Sequence, residues 1–529
     1  MKAFLLYKDH DFDLEQPLRW NENALIQDLG LDVLFEAMGR DDKFLLEVVQ
    51  KVLLAESSDM ETILHRQEIL KDCLKNPAVI RKMYDVVVEA IEEKRKSFWA
   101  FFSSRYPSSM LHGGIESLRI FVVRLKKLRS IADEHAHSFE SEGFVRFFKM
   151  LHDELSDEYF EAIQDHLERL EFKEGVLVSA ELGMGNKGTD YVLRKPMEEK
   201  RGWMARSLDR VKHLRKQAPY TFYLNPRDEN GAKALGELRD RGINLVANAL
   251  AQSTDHILSF FNMLRIELAF YIACLNLYER LNRKKPALNT EFVEVSKGEP
   301  ICFPVPSSLD KRRHSFVGLY DICLALSMTE RVVGNDVDAD GKSLFMITGA
   351  NQGGKSTFLR SVGLAQLMMQ CGMFVAAESF SANICDGVFT HYRREEDTTM
   401  GSGKFDEELS RMSDIADHLT PSSLLLFNES FAATNEREGS EIARQIVSAL
   451  LEKGSALSGV EGNKVFFVTH LYEFAHSFYE KKLANAIFLR AEREANGTRT
   501  FRLIEGEPLE TSYGEDLYEK IFGISNNIQ

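Results

Sequence analysis

The chain has 529 residues, more than one hydrophobic core accommodates, so two to four domains are expected. It is 44% hydrophobic and 28% charged, the balance of a folded soluble protein, and its net charge of −15 excludes coating of nucleic acid through bulk charge. The six cysteines (Cys73, Cys274, Cys302, Cys323, Cys371, Cys385) are scattered with no C-x-x-C pair, which argues for a reducing compartment and against structural zinc or a disulfide framework.

The opening MKAFLLYKDHDFD has too short an apolar run for a signal peptide. From 24 to 170 the apolar spacing of three and four predicts successive helices, and Asn76-Pro77 breaks one of them. The run from Asn76 through Phe102 and the stretch from about 139 to 172 each read as long helices with few breakers, more like levers than a compact bundle. From 173 the pattern changes. GVLVSAELGMGNKGTDYVL alternates and contains glycine, which predicts a hairpin, and YTFYL at 220–224 is a strand candidate. Residues 187–216 hold ten Lys and Arg against four Asp and Glu, a local +6 that includes Lys200, Arg201, Arg206, Arg210 and Lys212. Such a segment can track a phosphate backbone, or it is a solvated helical face balancing an acidic protein. Helix returns from about 231 to 284; its most apolar part carries Arg265 and Glu267, which favours a buried core helix over a membrane span. No membrane partner and a cytoplasmic location are therefore expected. After a boundary at RKKPALNT come short strand-like pieces to about 306; from about 315, KSLFMITG, SSLLLFNES and KVFFVTH are short apolar strands separated by helical segments, the rhythm of a mostly parallel sheet covered on both faces.

The strongest motif is SLFMITGANQGGKSTFLRSVGLAQLMM. Gly349, four residues, then Gly354, Lys355 and Ser356 fit G-x-x-x-x-G-K-[ST], with a strand before and an amphipathic helix after. Glycines let backbone N–H groups curl around phosphate oxygens, the helix N-terminus adds positive potential, Lys355 reaches the outer phosphates and the Ser356 hydroxyl ligates magnesium. ATP and Mg2+ are the expected ligands. At the end of LLLFNE, Glu429 is a general base or water-orienting group, or else a capping or ion-paired glutamate.

With both strands in hand, the carboxy-terminal part, about 320 to 523, resembles the MutS family of DNA mismatch-repair ATPases, a branch of the ABC-type ATPases. TGANQGGKST resembles the family's TGPNMGGKST, GSGKFDEELSRM its signature loop, NESFAATNEREG its DE-x-GRGT-x-x-x-DG, FFVTHLYE its FATHY-x-E, and FRLIEGEPLETSYG its closing SYG segment. The helical part resembles the family's core and lever region more weakly, ILHRQEILKDCLKNP being its best piece. The resemblance implies an α/β P-loop ATPase domain of the ABC type over 307–529. It is preceded by a mainly α-helical core and lever domain over 1–306, with a small β-containing, clamp-like insertion at about 172–226. Only about 20 residues precede the helical region and the chain stops soon after SYG, so a minimal relative is expected, without mismatch-recognition and connector domains.

The same resemblance assigns the nucleotide to Gly349, Asn351, Gly353, Gly354, Lys355, Ser356, Thr357 and Asn335. It makes His470 a switch residue that senses the γ-phosphate. It places Ser402 and Gly403 in a loop that reaches a partner's nucleotide across a homodimer. Asn428 stands where the family has Asp; its amide oxygen can accept a hydrogen bond from a magnesium-bound water but brings no charge, so weaker magnesium binding or slower turnover is expected. FAAT replaces the GRGT glycines before Thr434 and Gly439, and Val332 and Val333 stand where an adenine-stacking aromatic is expected. The first functional reading is an ATP-dependent clamp on double-stranded DNA, mismatched, branched or looped, in mismatch repair or recombination. The second is an ATP-switched module acting on protein or ribosome-associated RNA. A third, a site that binds but does not hydrolyse, rests on Asn428 alone.

Overall fold

The computed structural model describes residues 1–529 except 56–58, 102–105, 174, 195–222, 283–299, 309–310, 395–402, 457–461, 495–496 and 510–529. Four helices come first: α1 (Glu22–Leu29), α2 (Leu31–Gly39), α3 (Lys43–Leu54) and α4 (Met60–Lys75). Asp42 caps α3 by accepting from the N–H groups of Phe44 and Leu45, and Asp59 caps α4 through Thr62 N–H. Prolines open the next two, α5 (Pro77–Phe101) and α6 (Pro107–His135), at positions where the missing N–H costs nothing. The stretch 139–172 is not one long helix. It divides into α7 (Glu142–Glu154) and α8 (Asp157–Leu170), because the Ser156 hydroxyl accepts from Tyr159 N–H at 3.2 Å and starts a second helix. The predicted hairpin is present as antiparallel β1 (Val178–Leu182) and β2 (Gly188–Leu193). Of the strand candidate at 220–224, residues 220–222 lie outside the described residues and Tyr223 and Leu224 are not in a strand. Helix α9 (Glu229–Asn282) runs 54 residues, about 80 Å at 1.5 Å per residue. Among the described residues it alone is long and apolar enough to cross a membrane, and 67% of its apolar window is buried inside the protein, as in a core helix.

The remaining strands are β3 (Val305–Ser307), β4 (His314–Leu319), β5 (Asn335–Asp338), β6 (Leu344–Gly349), β7 (Ser379–Asn383), β8 (Gly387–Tyr392), β9 (Ser423–Asn428), β10 (Lys464–Val468), β11 (Ala486–Arg493) and β12 (Arg499–Glu505). Interleaved with them are α10 (Ile322–Ser327), α11 (Lys355–Gln370), α12 (Lys404–Asp417), α13 (Glu436–Ala456) and α14 (Tyr472–Glu480). They form a six-stranded sheet ordered β12-β11-β6-β10-β9-β8, parallel except for the antiparallel β12, and a four-stranded mixed sheet ordered β3-β7-β4-β5. The chain is thus a helical region followed by an α/β region, and the main sheet is mostly parallel as expected; the second sheet has no clear counterpart in the sequence reading. Both faces of the main sheet are covered. On one, Phe427 and Phe467 stack at 4.9 Å within a core completed by α12, α13 and α14. On the other, Phe345 and Phe466 stack at 3.7 Å, and α11 packs so closely that a Cβ on Gly363 would stand 2.7 Å from both Leu29 and Leu426. Each such buried Leu or Phe is worth about 1.5–3 kcal/mol.

The compact units do not follow a single cut at 306/307. One comprises 1–2, 82–136 and 146–265; the other comprises 3–81, 137–145 and 266–529. The physical reason is that helices near the amino terminus bury against strands. Asn21 donates to Val388 O of β8 at 2.8 Å, and Gln67 donates to Pro304 O beside β3 at 3.0 Å. The extreme amino terminus joins them: Leu5 N–H donates to Glu267 at 2.6 Å, Tyr271 donates to Leu5 O at 2.6 Å, and Arg66 donates to Leu6 O at 2.9 Å. Burial raises the Glu267 carboxyl to about 8. The first unit holds the hairpin, a Phe121–Phe261 pair at 5.4 Å and the pairing of Arg124 with Glu89 and Glu93.

Candidate active site

Of the predicted site residues, those from Gly349 to Thr357, with Asn428, Glu429 and His470, gather at or just beyond the carboxyl ends of parallel strands, where open α/β sheets place their ligands. Ile347 of β6 lies in register with Val468 of β10, which lies in register with Asn428 of β9. The segments that leave these three strands are therefore neighbours although far apart in sequence.

The loop after β6 needs its glycines. Gly349 has φ 107°, and a Cβ there would stand 2.8 Å from Ala491 N; a Cβ on Gly353 would stand 2.6 Å from the Ala491 side chain. Gly354, φ 89°, precedes α11 and offers no side-chain cap, which leaves the first N–H groups of that helix to a ligand. Lys355 is buried, and its Nζ donates to Gly349 O and Ala350 O at 2.9 Å each. Burial lowers its pKa to about 8, Glu429 working against the shift and Arg499 adding to it.

The Ser356 hydroxyl donates to Asn428 Oδ1 at 2.9 Å. Glu429 leaves β9 with φ 54°, its N–H held by Val468 O at 2.9 Å, and its Oε1 lies 2.9 Å from His470 Nε2. The hydrogen bond to His470, against the opposing effect of burial and helped by the charge of Lys355, lowers the Glu429 pKa, so the carboxylate is ionised at neutral pH. A cleft of about 440 Å³ is lined by Asn351, Gly353, Gly354, Lys355, Ser356, Thr357 and Glu429, together with Asn335, Val332, Val333 and Phe501. Asn335 lines it while its Oδ1 accepts from Leu503 N–H at 2.7 Å, so it also fastens β12 to β5.

Two contributors were not found in the sequence. Phe501, on β12, lines the cleft half-exposed and with φ 60°, and Arg499 lies close enough to Lys355 to affect its charge. Both come from about 150 residues beyond the loop, and no local pattern marks them. The Ser402–Gly403 prediction is half described. Gly403 is the residue before α12 with open space around it, and Ser402 lies outside the described residues. Thr434 donates to Glu438 at 2.9 Å, and Gly439 is required because a Cβ would collide with Phe431 O. Lys200, Arg201, Arg206, Arg210 and Lys212 lie outside the described residues, as does the SYG segment.

Among the described residues no group of three His, Cys, Asp or Glu could hold a metal by itself. The Ser356 hydroxyl and Asn428 amide oxygen are hard, neutral oxygen donors of the kind that suits Mg2+ shared with phosphates and water.

Comparison with known proteins gives two family matches: the MutS2 N-terminal domain over residues 58–284 and MutS domain V over residues 345–526. The chain is similar to the DNA mismatch repair protein MutS of Lactobacillus gasseri, 31% identical over 277 residues, which cover 51% of this chain and 31% of that protein. It is likewise 32% identical over 220 residues to the protein of the same name from Parabacteroides distasonis, covering 40% of this chain and 24% of the relative. The chain thus matches about a third or less of the length of these relatives.

Proposed function

The chain belongs to the MutS family, and from that premise we propose that it binds ATP with Mg2+ in the cleft after β6, hydrolyses it slowly, and uses the cycle to drive a dimeric clamp on DNA. The observation that carries this reading is the convergence of Lys355, Ser356, Asn428, Glu429 and His470 at the carboxyl ends of three adjacent strands, β6, β10 and β9. On binding, Lys355 exchanges the Gly349 and Ala350 carbonyls for the outer phosphate oxygens, and the α11 N-terminus receives the inner ones. Ser356 and Asn428 would hold Mg2+, which when bound neutralises charge on the phosphate oxygens. Glu429 orients a water towards the γ-phosphorus and takes its proton as the new P–O bond forms and the bond to the β-phosphate oxygen breaks. His470 holds the Glu429 carboxylate and is placed to feel the loss of the γ-phosphate. The neutral Asn428 makes turnover slow, since a charge-assisted bond is about twice as strong as a neutral one.

Two further features support DNA and a dimer. The segment 187–216 carries a local +6 in a chain of −15, and relatives are named for DNA mismatch repair. Gly403, open to its surroundings at the start of α12, fits a loop that completes a second copy's site. Mg2+-dependent ATP turnover tests the reading when measured alone, with homoduplex and with a four-way junction, beside Glu429→Ala. The expected result is turnover that the substitution abolishes and junction DNA changes. Binding of DNA is expected to weaken with salt and with neutralisation of Arg206, Arg210 and Lys212. Turnover indifferent to both DNAs moves the partner to protein or RNA; no turnover above the mutant overturns the hydrolytic reading.

A further inference from the structure

The turn that carries Glu429 has an unusual course. Glu429 has φ 54° and Phe431 φ 63°, two side-chain-bearing residues in the left-handed region on either side of Ser430. Such a turn persists only where its surroundings hold it. Here three groups do so. His391 of β8 is fully buried; its Nδ1 lies 2.7 Å from Ser430 Oγ and its Nε2 lies 2.9 Å from Glu408 O. The Nε2 position facing a carbonyl must carry the proton, and burial keeps the ring neutral, so Nδ1 is an acceptor for the Ser430 hydroxyl. That hydroxyl has a second acceptor in His391 O at 2.6 Å. The His391 ring also stacks on Phe431 at 5.2 Å. From α12, the buried Glu408 side chain lies near enough to the backbone N–H groups of Phe431 and Ala433 for them to favour its ionised form, although its Oε2 makes no hydrogen bond. The ring of His391 and the side chain of Glu408 thus link the turn to α12, the helix that begins directly after Gly403.

We propose that His391, Ser430 and Glu408 are positioning residues for Glu429: they hold its turn in the left-handed course and tie it to α12, so that displacement of α12 at its Gly403 end is felt at the Glu429 carboxylate. The proposal rests on the reading of Glu429 as the group that orients water. None of the three lines the nucleotide cleft, so their loss acts on the chemical step and leaves nucleotide affinity alone.

Steady-state ATP turnover, ATP affinity and hydrogen exchange of the nucleotide-free protein are to be measured for wild type, Ser430→Ala, Ser430→Thr and Glu408→Gln. For Ser430→Ala and Glu408→Gln the expected result is a kcat lower by about tenfold or more with ATP affinity within about twofold, the pattern of a displaced catalytic group. Ser430→Thr, which keeps the hydroxyl, restores most of kcat. In the nucleotide-free protein, the amides of 429–434 and the first turns of α12 exchange faster in Ser430→Ala and Glu408→Gln while those of α11 do not change. Loss of ATP affinity in step with kcat, or a kcat unchanged by both substitutions, overturns the proposal. A wild type whose turnover ignores Glu429→Ala refutes the role of Glu429 instead; the link to α12 then stands or falls on the exchange data, and exchange that is equal in all variants overturns it.

Discussion

The main sheet and the hairpin β1–β2 are β structures of two kinds, one buried and one exposed to solvent. In the main sheet, β6 and β10 are buried along their whole length and β9 is buried up to Asn428. In the hairpin β1–β2, Leu182 is 80% exposed, and Met184 at the turn is 97% exposed. A strand covered on both faces has only its end to offer a ligand, so chemistry collects where such strands stop: Gly349, Asn428 and Glu429, and His470. A two-stranded ribbon in solvent offers faces rather than an end. The first arrangement makes a site; the second makes a surface.

The largest effect expected from that contrast is at a strand end. Glu429→Ala lowers turnover by about 10²–10⁴-fold, the range for removing a general base, while ATP affinity measured by nucleotide titration changes little. Equal loss of both would mean that Glu429 builds the cleft rather than acts in it. Next come the strand bodies. Leu426→Ala, in the buried part of β9, is expected to cost about 2–5 kcal/mol in denaturant unfolding, whereas Met184→Ala stays within about 0.5 kcal/mol. A large loss for Met184→Ala would show that the hairpin carries a core after all.

The third prediction is a pH dependence. Lys355 in the nucleotide-free protein has its pKa lowered to about 8 by burial, and phosphates bound beside it restore the charge. Binding therefore takes up a proton once the pH exceeds that value. ATP affinity is expected to be flat below about pH 8 and to fall as pH rises above it, by at most about tenfold per unit. Affinity that rises over that interval would contradict the assignment. The smallest effect is expected at Asn428: Asn428→Asp restores a charged oxygen 2.9 Å from Ser356 and lowers the Mg2+ concentration at half-maximal turnover by a few-fold, on the order of one charge-assisted bond.

Much of the site was legible because it is local. The loop from Gly349 to Thr357 follows a strand and opens a helix, and Asn428, Glu429 and His470 end apolar runs, so sequence alone placed each at the end of an element. The parallel sheet was legible for the same reason: fully buried strands read as unbroken apolar runs. What escaped is set by contacts between distant residues. Leu5 meets Glu267 and Tyr271 across more than 260 positions, and no periodicity marks it. Phe501 joins the cleft, and Arg499 comes near enough to Lys355 to influence its charge, only because β12 pairs with β11 and is fastened by Asn335. The break at Ser156 is different: Ser-Asp-Glu is a helix-start signal, and the apolar rhythm running through it masked the signal.

The most direct test of the central claim is a calorimetric titration of ATP with Mg2+ near pH 7 into the wild-type protein and into Lys355→Ala. The account predicts saturable binding at one site per chain, weakened by about 100-fold in the variant, the order of two lost charged hydrogen bonds. Absence of binding to the wild type, or equal affinity for both proteins, would contradict it.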